Sequence, residues 1–193
     1  IVRCFEDENV IHVDGGLDVV RDIETVETEL MLADLEVLAG ALDKAQRNAR
    51  TGEKAAKARV ALLEKCEAAL NEGRPIRELA FDHEEDRAAL KGLGLITGKR
   101  ILLAANVSED DLDGRSPAAR QVRDYAEVNG CGMVPLCAKL EAELAELPPD
   151  DREEMMASMG LAEPALDRLV RATYELLGLH SFFTTQGPEI RAW

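Results

Sequence analysis

Arg100-Ile101-Leu102-Leu103-Ala104-Ala105-Asn106-Val107-Ser108-Glu109 is the stretch on which the fold turns. Its apolar run has no alternation, which predicts a strand buried on both faces, as in a parallel sheet. A polar turn follows at once. Ser116 and Pro117 then supply an N-cap and a first helical residue, opening a helix that passes Val122 and Tyr125 and ends by Gly130. Met133-Val134-Pro135-Leu136 reads as a second strand. Pro135 cannot donate to a ladder, so this strand is expected at a sheet edge. Cys137-Ala138-Lys139 and a further helix come next. Strand, loop and helix, given twice, is the order of a doubly wound α/β domain. Such domains bind ligands beyond the carboxyl ends of their strands, and both short loops fall there.

Working outward, Ile1-Val2-Arg3-Cys4-Phe5 is a third β-like run. Its link to the strand at Ile101 is too long for an ordinary crossover, so the intervening segment is read as an inserted lobe. Within it, Ile23, Val26, Leu30, Ala33 and Val37 recur at helical spacing. Met31, Leu35, Leu38, Leu42 and Ala45 form a second stripe, and together the two predict one wide apolar helix face. Asp18 or Asp22 can cap this helix, and Asn48 to Gly52 break it. A second helix carries Ala56, Val60, Leu63, Cys66 and Leu70 on one face and is stopped by Gly73 and Pro75. Two helices about a short turn form an antiparallel coiled-coil hairpin. Downstream of the second strand, 151–160 and 164–177 read as closing helices with Gly178 as carboxyl cap, and Phe182-Phe183-Thr184-Thr185 begins a β element.

The 193 residues carry a net charge of −15 and are 46% apolar, enough for a core and too acidic to wrap DNA. No apolar run approaches the roughly 20 residues of a membrane helix, and no signal-peptide pattern opens the chain. Cys4, Cys66, Cys131 and Cys137 form no paired zinc spacing, which fits reduced thiols and a cytoplasmic location. His12, His83 and His180 are scattered and read as surface or packing residues. No catalytic side chain and no metal ligand is therefore expected in this chain. The sequence opens without Met on a strand and stops within an extended run, so a longer protein is expected around it.

The hairpin tip breaks the acidic pattern. Lys44, Arg47, Arg50, Lys54, Lys57 and Arg59 face only Asp43 and Glu53, giving the window a net +4 against −19 for the rest. Two readings stand: a solvated tip whose cations complement a helix end, or a docking point for phosphate-rich RNA.

Asn106-Val107-Ser108-Glu109 stands where a guanine-nucleotide-binding domain has its base-reading Asn-Lys-x-Asp loop. There the Asp accepts hydrogen bonds from guanine's ring N–H and exocyclic amine. Glu109 is one methylene longer and Val107 lacks the lysine that lies over the base, so the loop is not built for guanine and adenine becomes the candidate. Cys137-Ala138-Lys139 matches the second base loop, Ser-Ala-Lys, with Cys in place of Ser. Lys139 either closes over the base or solvates the loop.

With these loops, Arg3-Cys4-Phe5-Glu6, Arg21-Asp22-Ile23-Glu24 through Glu29-Leu30, Ala138 to Leu144, Leu166-Asp167-Arg168-Leu169, and Phe182-Phe183-Thr184 through Arg191-Ala192-Trp193 follow one order. In these segments the chain resembles the YchF or Obg-like ATPase family, related to the Obg GTPases. The resemblance implies an α/β P-loop NTPase, or G-domain-like, parallel sheet, present in part (1–17 and 94–178). An inserted helical coiled-coil hairpin domain (18–93) and the start of a β-rich TGS domain (179–193) complete the expected organisation. It implies ATP as ligand, with Asn106 and Glu109 on the adenine side, Val107 against ATP, and Cys137 and Ala138 as the opposite wall. It implies ribosome or ribosomal RNA as partner, with neither membrane nor sequence-specific DNA. Magnesium and the phosphate-binding loop are expected in segments preceding Ile1. Gly92-Leu93-Gly94-Leu95-Ile96-Thr97-Gly98-Lys99 is misspaced for that loop and reads as a turn. The fragment alone is expected to be inactive. The competing expectation is a non-enzymatic scaffold in which the hairpin is the working part.

Overall fold

A computed structural model describes residues 1–7, 16–50, 52–81, 83–187 and 189–192. The segment around His12, Thr51 in the helix break, and Trp193 lie outside the described residues. Two compact units emerge: Ile1–Val20 with Ile101–Trp193, and Arg21–Arg100.

The first unit is built on a parallel sheet of β1 (Val2–Arg3), β2 (Leu102–Asn106) and β3 (Gly132–Leu136), in that spatial order. β2 lies between the other two strands, which is why its Leu103, Ala104 and Ala105 are all buried. β3 is an edge of this sheet, where Pro135 is tolerated. Arg3 pairs with Asn106 and Asn106 with Leu136, so all three strands end at one level. The N–H of Cys4 continues the ladder to the Asn106 carbonyl at 2.8 Å.

Helix α4 (Pro117–Val128) packs on β2 and β3. The Ser116 hydroxyl accepts from the Ala119 N–H at 3.3 Å, the cap expected ahead of Pro117. Helices α5 (Ala138–Glu146), α6 (Pro149–Ser158) and α7 (Ala165–Leu177) follow β3. α7 returns to the same two strands. It ends at Gly178, which at φ +66° adopts the left-handed conformation that lets Leu179 N–H turn back to the Tyr174 carbonyl. Beyond it, β4 (Phe183–Gln186) and β5 (Glu189–Ala192) form an antiparallel hairpin.

The second unit contains most of α1 (Val19–Ala49), α2 (Lys54–Asn71) and α3 (Glu84–Lys91). Its core joins Leu38, Leu63, Cys66, Leu70 and Leu90. α2 buries the predicted side. On α1 the expectation of one wide apolar face is corrected. The stripe from Met31 to Ala45 turns inward, whereas Val26 and Val37 of the other stripe are 59% and 44% exposed. The reason is polar. Asp34, 1% exposed, lies on the inward face with Met31 and Leu38, and its carboxylate accepts from the N–H groups of Ile96 and Thr97 and from the Thr97 hydroxyl at 2.6–2.8 Å. Glu27 is likewise paired with the partly buried Arg77. These partners turn the acid-bearing side inward and draw the 94–100 segment into the helical unit. No described helix is long and apolar enough to cross a membrane.

Candidate functional site

The level ends of β2 and β3 bring the two predicted loops together. Val107 N–H donates to the Leu136 carbonyl at 2.8 Å, extending the ladder one residue. Asn106 Oδ1 accepts from the Ala138 N–H at 3.0 Å, so the first loop's amide straps down the start of the second. Glu109 Oε1 lies 2.7 Å from Lys139 Nζ, a second link between the loops, and Glu143 stands 3.9 Å from the same ammonium. The hydrogen bond and charge of Glu109, then the charge of Glu143, raise the Lys139 pKa above its ordinary value.

A cavity of about 320 Å³ opens here, lined by both loops and by Phe5, Glu6 and Asp7 after β1. Those three were not among the expected site residues; the signal was available, because they follow the first strand as the loops follow the other two. The Arg3 guanidinium lies 5.1 Å from the Phe5 ring centroid and its Nε donates to the Phe5 carbonyl. Val107 is 1% and Cys137 4% exposed. Both line the cavity from its buried side, and the charged residues around it are Glu6, Asp7, Glu109, Asp110 and Lys139.

The turn after Glu109 is fixed by Asp111, whose carboxylate accepts from the N–H groups of Arg115 and Ser116 at 2.6–3.1 Å. Burial opposes its charge, but the hydrogen bonds from Ser116 and Arg115 prevail and hold its pKa below the usual carboxylate value. Nearby, burial and then the Asp111 charge push the Cys4 thiol up to about 11, so it is protonated and unreactive at neutral pH.

Chemically, the mouth offers an anionic acceptor beside a cationic donor. It can meet a heterocycle edge that pairs an N–H with a ring nitrogen. Among the described residues no group of three or more His, Cys, Asp or Glu is placed to hold a metal ion.

At the hairpin tip the six cations are not equivalent. Arg47 forks onto Asp43, and Arg59 Nη1 donates to the Ala89 carbonyl at 3.0 Å, tying α2 to α3. The side chains of Lys44, Arg50, Lys54 and Lys57 have no hydrogen-bond or ion-pair partner among the described residues.

Over all 193 residues the chain is 44% identical to a protein of Escherichia coli O157:H7 named ribosome-binding ATPase YchF, and covers 53% of it. Over an alignment of 196 residues it is 37% identical to the ribosome-binding ATPase YchF of Bacillus subtilis strain 168, again covering 53%. The solved structure of the Schizosaccharomyces pombe YchF GTPase matches the whole chain with a TM-score of 0.83 at 25% identity, over 53% of that protein. No family model matches. The chain thus spans about half the length of the relatives it matches.

Proposed function

We propose that this chain, similar along its whole length to proteins named YchF, forms the base-holding and helical portion of a ribosome-associated nucleotide hydrolase that takes ATP in preference to GTP. The observation that carries this reading is the double link between the loops. Asn106 straps Ala138, and Glu109 faces Lys139 across the mouth of the cavity. A base entering there meets an acceptor and a donor side by side, and its edge replaces the contact they make with each other. Adenine presents N6–H to a carboxylate and N1 to an ammonium, a pattern that Glu109 and Lys139 complement. The relatives' names, ATPase in bacteria and GTPase in yeast, support a nucleotide hydrolase, and the preference for ATP rests on the loops.

The described residues fit the base end of ATP and hold no cradle for its phosphates. Gly-x4-Gly-Lys-Ser/Thr does not occur in the 193 residues. Phosphoryl transfer depends on such a cradle and on magnesium to neutralise developing charge, so hydrolysis requires the polypeptide extended to the relatives' length. The role of β4 and β5 as the opening of a TGS domain belongs to the same proposal, as does the ribosome as partner, toward which the unpaired cations of the hairpin tip would face.

Calorimetry on the extended polypeptide tests the proposal. ATP is expected to bind more tightly than GTP, and Glu109→Asp to narrow the difference by pulling the carboxylate back toward a guanine-reading position. Tighter binding of GTP by the unmutated protein would overturn it.

A further inference from the structure

The helical unit holds a second cavity, of about 340 Å³, between the 76–81 segment, α3 and the 94–99 loop. Its floor is apolar. Ile76, Leu90 and Leu95 are buried there, and Leu79 and Phe81 are half-buried. Among the described residues the charged ones that line it are Arg77, Arg87, Lys91 and Lys99, with no Asp or Glu. In a chain of net charge −15, a wall of one sign and the opposite sense is an anion-attracting surface.

These cations are poorly satisfied from within. Lys91 and Lys99 have no ion pair among the described residues, and Arg87 reaches Glu84 only at 3.8 Å. Arg77 gives Nη2 to Glu27, while its Nε is buried without a partner. The walls are nonetheless fixed. Asp34 pins Ile96 and Thr97 in one wall, and Arg59 holds α3, the other, through the Ala89 carbonyl. A preformed cavity loses little freedom when it is filled.

We propose that this cavity docks an acidic segment of a partner protein, seating one apolar side chain on the floor and setting flanking carboxylates against Lys91, Lys99 and Arg87. The floor decides between partners. Single-stranded nucleic acid gains its affinity by stacking bases on open aromatic faces. Here Phe81 is the one aromatic ring lining the cavity, Lys65 stands 5.4 Å from its centroid, and the remaining floor is aliphatic. An aliphatic floor with a cationic rim matches an apolar anchor between acids, the arrangement of a central contact within a charged rim.

Fluorescence anisotropy with the 193-residue chain tests the site. The probe is a labelled heptapeptide pool, Glu-Asp-Glu-Φ-Glu-Asp-Glu, with Φ as Leu, Ile, Met or Phe. Saturable binding that weakens with added salt is expected, and it is lost when Φ is Ser. Lys91→Glu with Lys99→Glu is expected to weaken binding about tenfold, since two favourable rim contacts become repulsive. Lys91→Arg with Lys99→Arg is expected to retain it, and circular dichroism checks that both variants are folded. Failure of the pool to bind, indifference to charge reversal in a folded variant, or equal competition by an oligouridylate would each overturn the proposal.

Discussion

Asp34 shows how one side chain can set the orientation of a helix. Its neighbours in sequence are apolar, and a carboxylate there reads as part of the solvent face. Its three donors come from Ile96, Thr97 and the Thr97 hydroxyl, more than sixty positions away, where no local pattern could reveal them. Replacing Asp34 by Ala leaves those donors buried and unpaired, and is expected to cost about 3 kcal/mol, read from the shift of the denaturant midpoint. Asp111 gives a prediction with a pH sign. Its native pKa lies below its unfolded value, so its contribution to stability is complete above about pH 4 and is lost as pH falls through the lowered native value. The penalty of Asp111→Asn is therefore expected to be largest near neutrality and to shrink on acidification below that range, measured by urea melts at several pH values. Ser116 and Pro117 are the opposite case. Their roles are local, so the sequence disclosed them directly.

At the scale of elements, the parallel register carries the site. Pairing Arg3, Asn106 and Leu136 at one level is what lets an amide on one loop reach the backbone of the next. The strands and their order along the chain were legible because buried runs and a helix cap are strong signals. The distribution of α1's two stripes was not, because hydrophobic spacing identifies a face without saying which partners stand opposite it. Gly114 makes the loop after β2 a sensitive position. It sits at φ +64°, and an added Cβ would lie 2.9 Å from the Pro135 side chain on β3. Gly114→Ala is expected to lower stability by about 1–2 kcal/mol through backbone strain and this contact, seen as a lower thermal midpoint.

Across the whole molecule, charge is unevenly spread. The basic window at the hairpin tip stands against an acidic remainder, and the side chains of Lys44, Arg50, Lys54 and Lys57 have no partner there among the described residues. Reversing Arg50, Lys54 and Lys57 to Glu in the extended polypeptide is expected to weaken co-sedimentation with ribosomes and flatten its dependence on salt, because fewer phosphate contacts release fewer counterions. An unaltered profile would place the ribosome contact elsewhere. The long link between strands is the sequence feature that corresponds to the two units, Ile1–Val20 with Ile101–Trp193 and Arg21–Arg100. The boundary between the units falls at Arg100, where the 94–99 loop is bonded to α1.

That bond also bears on how the chain assembles. α1 and α2 can zip together from neighbouring turns within microseconds, but the carboxylate of Asp34 finds its donors only after a loop of 62 residues has closed. Loop closure on that scale opposes the last step with entropy, which the Glu27–Arg77 pair and the bonds of Ile76 and Arg77 to Thr97 help to offset. The helical unit is thus expected to acquire its helices early and its final tertiary lock late.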